Sequence, residues 1–190
     1  MIGGIIINNI EILESQLRQI FASVVWTHKI QEKQADIYLK RYNRLERSRI
    51  LLSALTSSGI FAVVFVDNFR LKIITAGVSA VSLYINTYFK SYDLKSLQKK
   101  HKESAIELLE LREDLMSVLC DVAIGKYSEE ELFKKRDEFL ERKIEIAKNA
   151  LDAGDKAVEE ASNSLKTRED NTYSDNEIDS YLPILARKNK

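Results

Sequence analysis

Cysteine, histidine, glycine and proline are all scarce in this chain, and each shortage removes a class of function. One Cys and two His cannot assemble a zinc site of clustered Cys and His ligands within one chain. The lone Cys120 also rules out an intrachain disulfide and suits a reducing cytoplasm. Lying between Leu119 and Val122 on a helical pattern, it reads as a core residue. Glycine is too sparse for a phosphate-cradling loop, and no nucleophile elbow occurs. The acidic stretch from Asp170 to Asp179 lacks the central Gly of a calcium loop. No enzymatic activity and no cofactor is expected. Proline occurs once, at Pro183, and neither Pro nor Gly interrupts residues 5 to 58, so one unbroken helix can run through them.

What the chain has instead is two uncharged apolar runs, Ile50–Val66 and Ile73–Phe89, separated only by Asp67-Asn68-Phe69-Arg70-Leu71-Lys72. Each run is about 17 residues, or roughly 25 Å of helix at ~1.5 Å per residue. That length reaches the lower limit for crossing a bilayer core of about 30 Å. Neither run shows the polar–apolar alternation of a helix with one wet face. Basic residues are concentrated outside the hairpin: Lys40, Arg41, Arg44, Arg47 and Arg49 before it, Lys90 and Lys95 after it. The connecting turn holds only Arg70 and Lys72, opposed by Asp67. By the positive-inside rule both termini are cytoplasmic and the turn faces outward. Tyr84, Tyr88, Phe89 and Tyr92 gather where the second run would leave the membrane, and such rings favour the headgroup level; for Tyr84 a place in a soluble core is the alternative. The apolar start, Met1 to Ile7, lacks a basic leader and is soon followed by Glu11 and Glu14, so no cleavable secretory signal is expected.

The second run carries a polar stripe. Thr75, Ser79, Ser82 and Asn86 recur at spacings that place them on one helical face. Ser53 and Ser57 lie in the cytoplasmic half of the first run, with Gly59 and Ala62 interleaved. Small and hydroxyl residues of this kind either let two membrane helices pack closely or line a water-filled path in an oligomer. Neither run contains an ionisable group, which argues against a proton relay or an ion-coupled transporter.

The remainder predicts cytoplasmic helices. Ile10, Leu13, Leu17, Ile20 and Val24 mark an amphipathic helix that continues through Tyr38 and Tyr42 into the first run. The cationic stretch from Lys40 to Arg49 is either a solvated face or a surface for anionic lipid heads. After the hairpin, Leu94, Leu97, His101, Ser104, Leu108, Leu111, Leu115, Val118 and Val122 keep a heptad register. Ile106, Leu109, Met116 and Leu119 widen its apolar face toward that of a multi-helix bundle. Gly125-Lys126-Tyr127 breaks this helix, and Ser128 with Glu131 forms a capping box for the next. That return helix uses Leu132, Phe133, Phe139, Leu140 and Ile144, then alanines at 150, 153, 157 and 161, with a kink expected at Gly154. Acidic side chains outnumber basic ones from 126 to 180. Formal neutrality, 29 Lys and Arg against 29 Asp and Glu, therefore hides a basic membrane-proximal half and an acidic distal one, and nucleic acid is not an expected partner. Ile178, Tyr181, Leu182, Ile184 and Leu185 around Pro183 form a candidate docking segment in a polar tail.

The segment Lys40-Arg41-Tyr42-Asn43-Arg44-Leu45-Glu46-Arg47, entering the first run, resembles the pre-membrane segment of the SLATT family of bacterial two-span effector domains. The resemblance covers roughly residues 12 to 165. It implies an inner-membrane effector of antiphage or conflict systems that oligomerises into a pore, triggered by a partner protein or a nucleotide-derived signal. The expected fold is all-α, a two-transmembrane hairpin with long cytoplasmic helices forming a bundle or coiled coil. Its divisions are a cytoplasmic helix over 1–49, the hairpin over 50–89, a cytoplasmic helical hairpin over 90–165 and a polar flexible tail over 166–190. Two other readings stay open: a non-conducting membrane scaffold, and a soluble helical interaction module.

Overall fold

The computed structural model describes residues 9–170, 173–183 and 187, and these residues form six α-helices and no strand. Helix α1 spans Asn9–Phe65 without interruption. Its 57 residues extend about 85 Å at 1.5 Å per residue. Absence of Pro and Gly between residues 9 and 58 explains the continuity, and no break occurs where the cationic stretch meets the apolar run. Helix α2, Phe69–Ser91, starts earlier than the apolar pattern implied. The side chain of Asn68 accepts from the backbone N–H of Arg70 and Leu71, 3.0 and 3.3 Å away. This N-cap draws Phe69–Lys72 into the helix, so the turn is shorter than expected.

Helix α3, Leu94–Ala123, follows a brief interruption at Tyr92 and Asp93, where Asp93 caps Ser96 N at 2.9 Å. The helical path leaving the second apolar run is therefore not continuous, unlike the path along α1 into the first. At the far end, Gly125 has φ +73. Gly125 N bonds Val122 O at 2.9 Å and Lys126 N bonds Asp121 O at 3.1 Å, the paired closure of a Schellman motif. Helix α4, Glu129–Asn149, then begins on the Ser128–Glu131 capping box. The expected kink at Gly154 is instead a full break over Ala150–Gly154, after which α5 runs Asp155–Lys166. Within the tail expected to be loose, Ser174 and Glu177 cap a short helix α6, Asp175–Tyr181. Of the candidate docking segment there, Ile184 and Leu185 lie outside the described residues, while Ile178 and Tyr181 are exposed.

The core lies at the end of the protein away from the hairpin. Leu13, Leu17, Ile20 and Val24 of α1 meet Leu108, Leu111, Leu115 and Val118 of α3, with Leu132 and Phe139 of α4 completing the cluster. Helices α1 and α3 run antiparallel: Tyr38 stacks on His101 near one end, and Phe21 shares a groove with Leu119 and Ala123 near the other. Helix α4 runs parallel to α1. The two are joined at one constant sequence separation of 120, by Asn9–Glu129, Gln16–Arg136 and, beyond the end of α4, Gln31–Leu151 and Gln34–Gly154. Helix α5 then turns back along α1, from Gly154 beside Gln34 to Lys166 over the Trp26 ring.

Several expected core positions lie outside. Cys120, Ile106 and Met116 on α3 are exposed, as are Phe133, Leu140 and Ile144 on α4. Each belongs to an apolar strip wider than the helices available to cover it. Ala157 and Ala161 are fully buried, because α5 lies close against α1 and only small side chains fit between them.

Candidate membrane hairpin and its junction with the helical body

The two apolar runs lie side by side on α1 and α2 and bury almost nothing. Ile85 is the one side chain of α2 in the buried class. Phe61, Val64, Phe65 and Phe69 are each at least two-thirds exposed, and Leu83 is 68 % exposed. Among the described helices, only α1 meets both the length and the apolarity needed to cross a bilayer. Its 18-residue window has a mean hydropathy of 1.6, and none of that window is buried. In α2, Arg70, Lys72 and Lys90 at the ends and the polar stripe within lower the average.

The stripe is split between a seam and an open groove. Thr75, Ser79 and Ser82 are half-buried, whereas Asn86, Ser53 and Ser57 are exposed. Closest approach of the two helices is at Gly59, where an added Cβ would lie 2.9 Å from Thr75 Oγ1 and 3.1 Å from its Cγ2. Any other residue at 59 would have to displace a β-branched side chain with little rotamer freedom in a helix. Further toward the body, Arg49, Ile50, Ser53, Ala54, Ser57 and Asn86 line one groove, so the body-side half of the first run lies beside Asn86. The hydroxyls of Ser57, Ser58 and Thr87 donate to carbonyls one turn back on their own helices, at 2.9–3.0 Å. Such bonds satisfy a hydroxyl without a partner helix or water.

At the inner end of the hairpin, cations and aromatic rings interlock. The guanidinium of Arg41 lies 5.2 Å from the Tyr88 ring and that of Arg49 lies 5.1 Å from Phe89. Tyr42 meets Phe89 edge-on at 5.7 Å, and Lys95 lies 5.9 Å from the Tyr42 ring. Tyr88 stacks on Tyr92 at 4.7 Å. Tyr84, by contrast, is 70 % exposed and takes no part in a core. Cation–π contacts are each worth about 0.5–2 kcal/mol, more when desolvated. They tie α1, α2 and the start of α3 at the same level. Lys40, Arg44, Arg47 and Lys90 are exposed around this junction, and Glu46 accepts from Arg49 at 2.6 Å.

Residues 13–177 match the SMODS and SLOG-associating 2TM effector domain family 4. The chain belongs to this SLATT family. The match takes in α1 to α5 and the first residues of α6, reaching past the end at 165 implied by the resemblance. No curated protein and no solved structure matches the chain. Membership supports association with a membrane, in line with the unburied apolar window of α1.

Behind the junction, the SLATT chain buries a polar row on α1 that sequence reasoning did not single out, against His101, which the heptad register places at a core position. His28, Lys29, Gln31 and Gln34 on α1 are all buried, as is His101 on α3. Their signal was available: they continue the rhythm of Leu17, Ile20 and Val24, so polar groups fall on a buried face. Gln31 Nε2 donates to Leu151 O at 3.0 Å, which turns Gln31 Oε1 toward His101 Nδ1. The neutral ring must then carry its hydrogen on Nδ1. Gln34 Oε1 accepts from Gly154 N at 3.0 Å, satisfying the backbone N–H of the N-cap residue of α5. Lys29 Nζ pairs with Glu32 at 3.0 Å and Asp170 at 3.6 Å. Two buried atoms here, His28 Nδ1 and Ser164 Oγ, have no partner among the described residues.

Burial lowers the pKa of His28 below its ordinary 6.5; Glu32 partly offsets this, and Arg112, Lys29 and Lys102 reinforce it. Burial alone lowers His101. Burial pushes Glu32 up, but the hydrogen bond and charge of Lys29 outweigh it and leave the carboxyl below 4.5. A base with a lowered folded pKa is neutral in the fold while the unfolded chain binds its proton first. The stabilisation is complete above pH 6.5 and declines as pH falls from there through the lowered folded values. The slope is at most about 1.4 kcal/mol per pH unit per histidine. Thermal melts of the SLATT chain are expected to shift downward over that interval, well above the acid range where Glu32 acts. His101→Gln should flatten the dependence; an unchanged profile would assign it elsewhere.

Proposed function

We propose that this SLATT chain is a membrane effector of a bacterial antiphage or conflict system. In this reading α1 and α2 form a two-span hairpin in the inner membrane, a cytoplasmic helical bundle carries it, and both termini are cytoplasmic. Several copies assemble so that the hairpins enclose a pore, since two spans from one chain cannot surround water. The observation that carries the reading is the hairpin itself: its apolar side chains point outward, unburied by the rest of the chain, beside a body with its own core. The basic ring at its inner end favours cytoplasmic placement of that side. A trigger, a partner protein or a nucleotide-derived signal, acts on the cytoplasmic helices. Nucleic acid has no place in this reading, and no catalytic step is assigned.

Asn86, the exposed member of the α2 stripe, is the one to test. Induced expression, in cells shown to be triggered, is expected to collapse the signal of a membrane-potential dye. Asn86→Leu should remove most of that depolarisation while the protein remains in the carbonate-resistant membrane fraction. Intact potential in the parent, with the protein inserted, would sink the pore. A specific observation favours a second reading, the non-conducting scaffold. Ser57, Ser58 and Thr87 are satisfied by their own helices, and Thr75 packs at Gly59, as in a helix seam rather than a water path. The scaffold predicts insertion, no ion flux, and partner capture dependent on residues 128–185.

A further inference from the structure

We propose that the groove lined by Arg49, Ile50, Ser53, Ala54, Ser57 and Asn86 holds the phosphodiester head of one anionic phospholipid. The inference rests on the membrane-hairpin reading, which places this groove at the cytoplasmic headgroup level. Three polar groups meet in this one exposed groove, whereas the hydroxyls of Thr56, Thr75, Ser79 and Ser82, also without a partner among the described residues, lie on half-buried positions of the hairpin. Ser57, Ser58 and Thr87 bond their own helices, but the Ser53 hydroxyl and the Asn86 amide have no protein partner among the described residues. Arg49 commits one amino group to Glu46 at 2.6 Å and rests on the Phe89 ring at 5.1 Å, leaving its other N–H groups free. Its guanidinium is thus held in place from two sides, with donors to spare. Guanidinium, amide and hydroxyl are the donors that the non-bridging oxygens of a phosphodiester accept from. At the edge of a hydrocarbon layer, donors left without an acceptor are costly.

Charge and shape agree with that occupant. Between residues 37 and 66 Glu46 is the only acidic residue, and one of its oxygens is engaged by Arg49, while Lys40, Arg41, Arg44 and Arg47 precede the groove on α1 and Lys90 follows it on α2. The excess of cations on this stretch favours an anion over a zwitterion. Ile50, the first residue of the run, is 62 % exposed, and Ala54 follows one turn on in the same groove, an apolar floor for the first carbons of an acyl chain. A bound lipid would lie against both α1 and α2 and fasten the inner end of the hairpin.

Native mass spectrometry of the full chain in detergent, titrated with phosphatidylglycerol or phosphatidylcholine, tests this. The first equivalent of phosphatidylglycerol is expected to bind about tenfold more tightly than phosphatidylcholine, and Ser53→Ala with Asn86→Leu should lose about that factor. Arg44→Gln, which removes a neighbouring charge outside the groove, should leave the first equivalent bound. Equal binding of the two lipids, or an unchanged double variant, would overturn the site. Displacement of the lipid by millimolar glycerophosphoglycerol, the same head without acyl chains, would also overturn it in favour of a soluble phosphodiester. Flotation with vesicles separates the two levels of the argument. A chain that floats with both lipid compositions but shows no preference loses only the lipid site. One that floats with neither removes the hairpin reading beneath it.

Discussion

Phe139→Ala is expected to destabilise the helical body by about 3–5 kcal/mol, the usual cost of emptying a large aromatic site in a close-packed core. Phe139 is 2 % exposed and, with Leu132, is the contribution of α4 to the core formed by α1 and α3. The ring is also bracketed by cations, Arg142 at 5.9 Å and Lys135 at 6.0 Å from its centroid. Arg142 in turn bonds Asp114 on α3 at 2.9 Å. Loss of the ring therefore leaves a cavity and also removes the surface on which both cations rest. Denaturant unfolding in mild detergent, followed by circular dichroism, should show the loss as a lower midpoint with helix content initially unchanged. Phe133→Ala is the control: on the same helix but 42 % exposed, it should cost well under 1 kcal/mol. Equal effects at the two positions would mean that α4 packs by another face.

Gln31→Leu is expected to cost about 1–3 kcal/mol for each buried polar group it orphans, and it orphans two. Its carboxamide accepts from His101 Nδ1 and donates to Leu151 O, linking α1 to α3 and to the α4–α5 connection at once. His101→Leu alone should be costly too, because Gln31 Oε1 would lose its donor and Tyr38 its stacking partner at 5.4 Å. The double variant should be less damaging than the sum of the two, since neither half of the pair is then left buried without its partner. Additive losses would show that the two side chains act independently. The region between α4 and α5 is also where unfolding should begin. Hydrogen exchange at Leu151–Gly154 is expected to accelerate in the Gln31 variant before that of the core around Leu111, whose protection depends on a separate cluster.

Local features of this chain were legible because they depend on neighbours in sequence. The length of α1 follows from the absence of Pro throughout it and of Gly from residue 5 to 58, the break at Gly125 from one residue able to hold φ +73, and the start of α4 from the Ser128–Glu131 box. The cap at Asn68 follows the same kind of rule, yet the run of charges after it obscured a helix start at Phe69. The segment from Lys40 to Arg47 supplied the family resemblance, and the family match over residues 13–177 bears it out.

The candidate site was read in part. The stripe from Thr75 to Asn86 does lie along α2 facing the Gly59 region at one end and the Arg49 groove at the other. That Arg49, Ser53 and Asn86 share one groove was open only to a reading that paired the helices in register. Other features were decided by packing alone. Helical periodicity declares a face apolar without saying how many helices will cover it. Cys120, Ile106, Met116, Phe133, Leu140 and Ile144 therefore sit on apolar strips yet remain outside. The row of His28, Lys29, Gln31 and Gln34 shows the converse. Polar groups can occupy a buried face only when partners from distant sequence arrive to satisfy them, and Gln31 and Gln34 find theirs 120 residues away. The long helices, the two apolar runs and the family were legible in the sequence, whereas the break over Ala150–Gly154 and the short helix α6 were not. Tertiary structure decided which faces are dry, because burial depends on the partner that arrives, and no local rule specifies that partner.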